Sequence, residues 1–192
     1  MSRMESAMVE LGSVATPFEL QDVLSRKAIG RDDVFATGQN HGLLVMFVCP
    51  HCPYVKHIEA ELGRLGSDYS GKIGIVAIMS NDLVEYPQDG PEAMRAQAEN
   101  FGWGFPYLLD EMQEVAREYD AACTPDFFLY DAGLRLVYRG QLDDSRPRRG
   151  DFGNDTPVTG KDLRAALDAV IAGKRPDTNQ KVSIGCNIKW KS

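Results

Sequence analysis

A chain of 192 residues, 43% of them hydrophobic, has enough apolar material for one well-filled core and is too short for two comfortable domains. Its formal charge of −7 and pI near 5.0 argue against nucleic acid or an anionic membrane surface as the main partner, because phosphate binding needs a positive footprint. The local group Arg146, Arg148 and Arg149 reads as a solvated loop and does not change that balance.

The opening segment, Met1 to Gly12, carries Glu5 and Glu10 and no apolar stretch of signal-peptide length. No later run reaches the roughly 18 apolar residues of a membrane span, so a cytoplasmic protein with no membrane partner is expected. Phe18 to Ala36, with short apolar patches and Gly30, suggests strands or turns at a sheet margin. Leu43 to Val48 is a continuous apolar run, typical of a strand buried on both faces, and a helix follows it to about Gly66. Ile73 to Met79 is a second such run, so strand, helix and strand form a right-handed parallel βαβ unit.

Asn81 to Gly90 reads as a polar loop, with Asn81-Asp82 as turn chemistry or the rim of a site. Gly90-Pro91-Glu92 opens a helix that ends near Phe101-Gly102, with proline at its first position and an acid in its first turn. Pro106 to Leu109 is a short strand, and Asp110 caps a helix over Glu111 to Tyr119. Phe127 to Tyr130 and Leu134 to Tyr138 flank the turn Asp131-Ala132-Gly133 as an antiparallel hairpin. A polar stretch runs from about Gln141 to Gly153, and a last helix from about Thr159 to Ala172 carries Leu163, Ala166, Leu167, Val170 and Ile171 on one face. The tail from Lys174 to Ser192 reads as an extension of a single domain whose core spans about 43–172.

The chemistry is concentrated in Cys49-Pro50-His51-Cys52, two thiols three residues apart at the junction of strand and helix. Backbone N–H groups at a helix start lack intrahelical partners, and the helix dipole places positive charge there, so a thiolate is favoured. Cys-x-x-Cys thiols in this setting have pKa values lowered from about 8.5 to between about 3.5 and 7.5. Pro53 fits best at the first position of a helix capped by Cys52, a register that gives Cys52 the strongest share of this field.

Strand, helix and strand, then helix, hairpin and helix, with paired thiols after the first long strand, resembles the thioredoxin fold: a central mixed sheet flanked by helices, here with N- and C-terminal extensions. Thr124-Pro125 before the hairpin matches the cis-proline loop of that superfamily, which faces the thiols and offers backbone groups to a bound peptide. More narrowly, Cys49 to His57, Cys123 to Asp131 and Ser183 to Trp190 resemble a bacterial group described as thioredoxin-like or AhpC/TSA-like. The resemblance implies thiol–disulfide exchange with a disulfide-containing protein or small thiol, and no organic cofactor. By position Cys49 would be the attacking thiolate and Cys52 the resolving thiol. Pro50-His51 matches the DsbA-type oxidants, where a protonated histidine stabilises the thiolate. The strand lacks the buried acid that thioredoxin keeps near its thiols, and His51 is the nearest replacement for proton transfer. Cys123 should lie near the pair, as a third redox residue or a small buried hydrophobe. Cys186 in the tail would either dock over the site, where as a further redox residue it could form a disulfide with Cys49 or Cys52 or regulate access, or be a packing contact.

Three other readings compete. A peroxidase of this superfamily has Pro-x-x-x-Thr-x-x-Cys and a nearby arginine, whereas Met46 stands three before Cys49 and Gly42 and Val45 stand seven before the two cysteines. Structural zinc could use Cys49 and Cys52 with His51, His57 or Cys123, but such sites usually draw on a second close pair, and no metal is expected. A binding module with idle thiols is the third. Trp103, Phe127 and Phe128 read as packing, and Lys56 and Glu59 as tuning or solvated groups.

Overall fold

Alternation inside the two apolar runs fixes the sheet. Leu43, Val45 and Phe47 turn to one face and Leu44, Met46 and Val48 to the other; from the second run Val76 and Ile78 join the first face, and Ile75, Ala77 and Met79 the second. Both faces are therefore covered, which is why neither run shows polar alternation.

The computed structural model describes residues 3–36, 39–148 and 153–192, so Arg149 lies outside the described residues. In chain order these form β1 (Arg3–Glu5), β2 (Glu19–Asp22), β3 (Ala28–Gly30), α1 (Arg31–Val34), β4 (Gly42–Phe47), α2 (Pro53–Asp68), β5 (Ile73–Met79), α3 (Pro91–Phe101), β6 (Tyr107–Leu109), α4 (Glu114–Glu118), β7 (Cys123–Thr124), β8 (Asp126–Asp131), β9 (Leu136–Gly140), α5 (Lys161–Ile171) and β10 (Ile184–Asn187), with a 3-10 turn at Pro87–Asp89. Seven strands make a mixed sheet in the order β3-β2-β6-β5-β4-β8-β9. β4, β5 and β6 are parallel, and β8 returns antiparallel along β4 with Phe47 opposite Asp126. Helices α2, α3 and α5 cover one face through residues such as Ile58, Leu62, Met94 and Leu167; α4 and the segment carrying Ala15 and Phe18 cover the other. Among the described residues no helix is long and apolar enough to cross a membrane.

The sheet margin before β4 contains β2 and β3, as the sequence suggests, together with the one-turn helix α1. The helix after β6 begins at Glu114, not Glu111, because Gln113 adopts φ +62° and keeps the preceding residues in a turn. Asp110 still caps it, accepting the N–H of Ala116 at 2.9 Å and of Val115 at 3.4 Å. Likewise β9 starts at Leu136, since Leu134 has φ +56° and belongs to the hairpin turn. In the polar loop after β9 the described arginines Arg146 and Arg148 pair within the loop. Arg146 donates to Gln141 Oε1 and to the carbonyls of Asp143 and Ser145, and Arg148 pairs with Asp155.

α2 places the second cysteine, and its depth is set by glycine. A methyl group at Gly63 would overlap the Phe101 carbonyl at the end of α3, so the two helices meet there with no side chain between them. Gly63→Ala should therefore destabilise the protein by about 3 kcal/mol in urea denaturation, the overpacking cost exceeding the gain of about 1 kcal/mol in helix propensity. A neutral or stabilising result would mean that this contact opens at little cost.

Candidate active site

Cys52 is the residue before α2, with extended backbone (φ −67°, ψ 122°), and Pro53 takes the first helical position. Proline there loses no hydrogen bond and fixes the turn, so the helix start falls on the second cysteine. Cys49 lies just after β4, held on the other side by the loop before β8. Thr124-Pro125 is a cis peptide bond, as the resemblance predicts. Thr124 Oγ1 is 3.4 Å from Cys49 Sγ, and the Thr124 carbonyl accepts from Cys52 Sγ at 3.1 Å. Neither sulfur is open to solvent: Cys49 is 1% exposed and Cys52 0%.

The electrostatics divide the pair. The Cys49 thiol is held well above its ordinary value, first by its hydrogen bond to Cys52, then by burial and by the negative charge of Asp89. Burial pushes Cys52 up too, but hydrogen bonds from the Cys186, Cys49 and Thr124 side chains and the Val55 N–H outweigh it and pull Cys52 down. By the resemblance Cys49 is the thiol that ionises for attack, whereas the helix cap falling on Cys52 and the Asp89 carboxylate near Cys49 favour charge on Cys52.

That carboxylate is the acid missing from the central strand. Asp89, fully buried, accepts His51 Nδ1–H at 2.5 Å, the His51 backbone N–H at 3.0 Å and Asn81 Nδ2–H at 2.8 Å. His51 Nδ1 is also 4.0 Å from Cys49 Sγ, and the ring stacks on Tyr86 with centroids 5.6 Å apart. A proton at Nδ1 is thus held beside the first sulfur by a buried carboxylate. Cys49, His51 and Asp89 offer donor atoms all within 4.8 Å of one another. His57, the other histidine considered for zinc, lies outside this set.

The remaining expected residues separate. Cys123 is buried with its thiol donating toward the Pro125 carbonyl at 3.5 Å, and burial, Asp126 and Cys52 all raise its pKa, which suits a packing role. Pro50 closes the turn between the thiols. Glu59 accepts from Gln97 at 2.9 Å, and burial raises it; Trp103, Phe127 and Phe128 are core. Asn81 belongs to the site and not merely to a turn, whereas Asp82 accepts the Val84 N–H in a local turn. A signal for Asn81 exists in the sequence: β4 and β5 are parallel neighbours, so residues just past their C-terminal ends lie side by side, where α/β sheets place their sites. Asp89, within the loop to Gly90, has no comparable signal.

Sheet order, cis-proline loop and thiol pair at the start of α2 define a thioredoxin-like protein. A family model described as "AhpC/TSA family" matches residues 11–139, and the chain belongs to that family. An uncharacterised conserved protein of Geobacillus kaustophilus is 50% identical over 100% of this chain and 97% of its own, with a TM-score of 0.91. A hypothetical protein of Sinorhizobium meliloti 1021 is 45% identical over 98% of each chain, also at 0.91. The thioredoxin domain of a Bacteroides vulgatus thiol-disulfide oxidoreductase is 18% identical over 68% of this chain and 88% of its own, at 0.55, a likeness of fold. No curated protein matches the chain.

Proposed function

We propose that this chain is a thiol–disulfide oxidoreductase that exchanges disulfides with a protein or small-thiol partner through Cys49 and Cys52. The observation that carries the reading is the placement of the pair: two buried thiols at the start of α2 facing the cis-proline loop, with Thr124 Oγ1 3.4 Å from Cys49 Sγ and the Thr124 carbonyl 3.1 Å from Cys52 Sγ. Cys52 takes the Cys49 proton, and the Cys49 thiolate attacks one sulfur of the partner disulfide. A Cys49–partner bond forms, the partner S–S bond breaks, and the departing sulfur takes the proton from Cys52, which is left a thiolate. Cys52 then attacks Cys49 Sγ, the Cys49–Cys52 bond forms, and the second partner thiolate leaves. Two electrons and one proton pass to the partner, and its second thiolate takes a proton from solvent. His51 Nδ1, backed by Asp89, holds a proton next to the sulfur that changes charge at each step.

Insulin reduction with a dithiol reductant tests this directly. Cys49→Ser should abolish turnover, and Cys52→Ser should accumulate the Cys49 mixed disulfide; full turnover in both variants would remove the pair from the mechanism. One observation favours a second reading, a thiol peroxidase: Thr124 Oγ1 supplies a hydroxyl 3.4 Å from Cys49 that the linear motif lacks. Hydrogen peroxide consumption faster than insulin reduction would favour that reading.

A further inference from the structure

The two ends of the chain close the thiol site. β10 runs antiparallel along β7, with Cys186 opposite Thr124 and Asn187 opposite Cys123, while β1 covers its other edge from Arg3 to Glu5. Ser183 Oγ donates to the Pro125 carbonyl at 2.7 Å. Beyond the strand, the Lys189 N–H donates to Asn81 Oδ1 at 2.9 Å, and its carbonyl accepts the Asp82 N–H at 2.8 Å and Gln113 Nε2–H at 2.7 Å. Gln113 also accepts the Lys191 N–H at 2.8 Å, so the same buried side chain that sits at φ +62° grips the tail twice. Gly185 makes the approach feasible: a side chain there would overlap the Thr124 carbonyl.

This register brings a third sulfur to the pair. Thr124, opposite Cys186, is the residue whose carbonyl lies 3.1 Å from Cys52 Sγ, and the Cys186 side chain is hydrogen-bonded to Cys52. Cys186 is buried and belongs to the same apolar cluster as Cys49 and Cys52. Cys123, next to Thr124, stands apart with its thiol toward Pro125. Cys52 is the middle sulfur of three.

We propose that Cys186 is a third redox residue: it displaces Cys49 from Cys52, and the Cys52–Cys186 disulfide latches β10 over the site. The inference rests on the oxidoreductase reading and names how that site is regulated. In the step, the Cys186 thiolate attacks Cys52 Sγ of the Cys49–Cys52 disulfide. The Cys52–Cys186 bond forms, the Cys49–Cys52 bond breaks, and Cys49 leaves as a thiolate. The proton given up by Cys186 is balanced by one taken up at Cys49, beside His51 Nδ1. Oxidation state is unchanged, so no oxidant is needed beyond the partner disulfide that made the first bond. With Cys49–Cys52 paired or both reduced, no covalent bond holds the tail beyond its packing and hydrogen bonds, and it can leave to admit a partner. With Cys52–Cys186 paired, the tail is fixed covalently and the partner is shut out.

Full-length Cys49→Ser protein, reduced and then treated with oxidised glutathione, reads formation of the Cys52–Cys186 bond without competition from Cys49. Trypsin cleavage after Arg31, Lys56, Lys181 and Lys189 leaves Cys52 and Cys186 on separate peptides. A two-hydrogen loss in the intact monomer and a linked pair of these peptides as its main disulfide are expected. Recovery of Cys52 and Cys186 only as thiols or glutathione adducts, or a link to Cys123 instead, would overturn the proposal. Wild-type protein treated alongside separates the two claims. If it forms Cys49–Cys52 and reduces insulin while the variant gives no Cys52–Cys186 link, the latch falls and the oxidoreductase stands. If wild type never pairs Cys49 with Cys52, the oxidoreductase reading falls, and the latch with it.

Discussion

Asp89→Asn is expected to slow disulfide exchange at Cys49 by about 100-fold, the scale of a lost proton-transfer partner. Two effects oppose each other. Removing the carboxylate relieves a repulsion that holds the Cys49 thiol above its ordinary value, which alone would favour attack. It also replaces the charged acceptor 2.5 Å from His51 Nδ1 with at most a neutral amide oxygen, which holds the ring proton beside the sulfur less firmly. Cys49 is 1% exposed, and a thiolate buried without a compensating charge costs several kcal/mol, so the loss outweighs the relief. An asparagine also turns its amide group against either the His51 N–H or Asn81 Nδ2–H, both of which donate to Asp89 in the native site. Stopped-flow exchange with oxidised glutathione reads the rate, and a reduction-potential measurement on the same variant separates a changed thiol from a merely loosened loop. A rate within threefold of wild type would remove Asp89 from the chemistry.

Local signals carry much of this architecture. The apolar runs of β4 and β5 mark buried strands because each residue faces one or the other covered side, and Pro53 after Cys52 marks the helix start through backbone chemistry alone. Thr124-Pro125 is legible for the same reason: proline restricts its own neighbourhood. Asp89 is not legible, since its partner His51 lies 38 residues earlier and nothing in a polar loop indicates which acid folds inward. Asn81 and Gln113 are similar, one resembling turn chemistry and the other an ordinary surface residue until the tail arrives against both. The docking of β10 depends on Gly185 meeting Thr124 across most of a chain length, a fit that periodicity does not encode. On which cysteine favours the charge, the resemblance and the helix register differ, and the non-local carboxylate lies on the side of the register. The helix-start argument itself, applied to the register Pro53 imposes, points to Cys52.

A second buried acid should make the whole protein less stable as pH rises. Asp126 opens β8 opposite Phe47, completely buried, and burial raises its pKa to about 7 against hydrogen bonds from the Ala122, Phe127 and Cys123 N–H groups. Its Oδ1 has no hydrogen-bond partner among the described residues. In the unfolded chain the same carboxyl ionises near pH 3.9. Between about pH 4 and about pH 7 the unfolded state has therefore released a proton that the folded state retains. Stability must fall across that window and level off above it. A shift of about three units corresponds to about 4 kcal/mol, at 1.36 kcal/mol per unit. Asp126→Asn keeps the shape and one accepting oxygen while removing the ionisation. Urea denaturation at pH 5 and pH 8 should show wild type losing a few kcal/mol between the two, and the variant losing much less and surpassing wild type at pH 8. An equal loss in both proteins would place the pH dependence elsewhere.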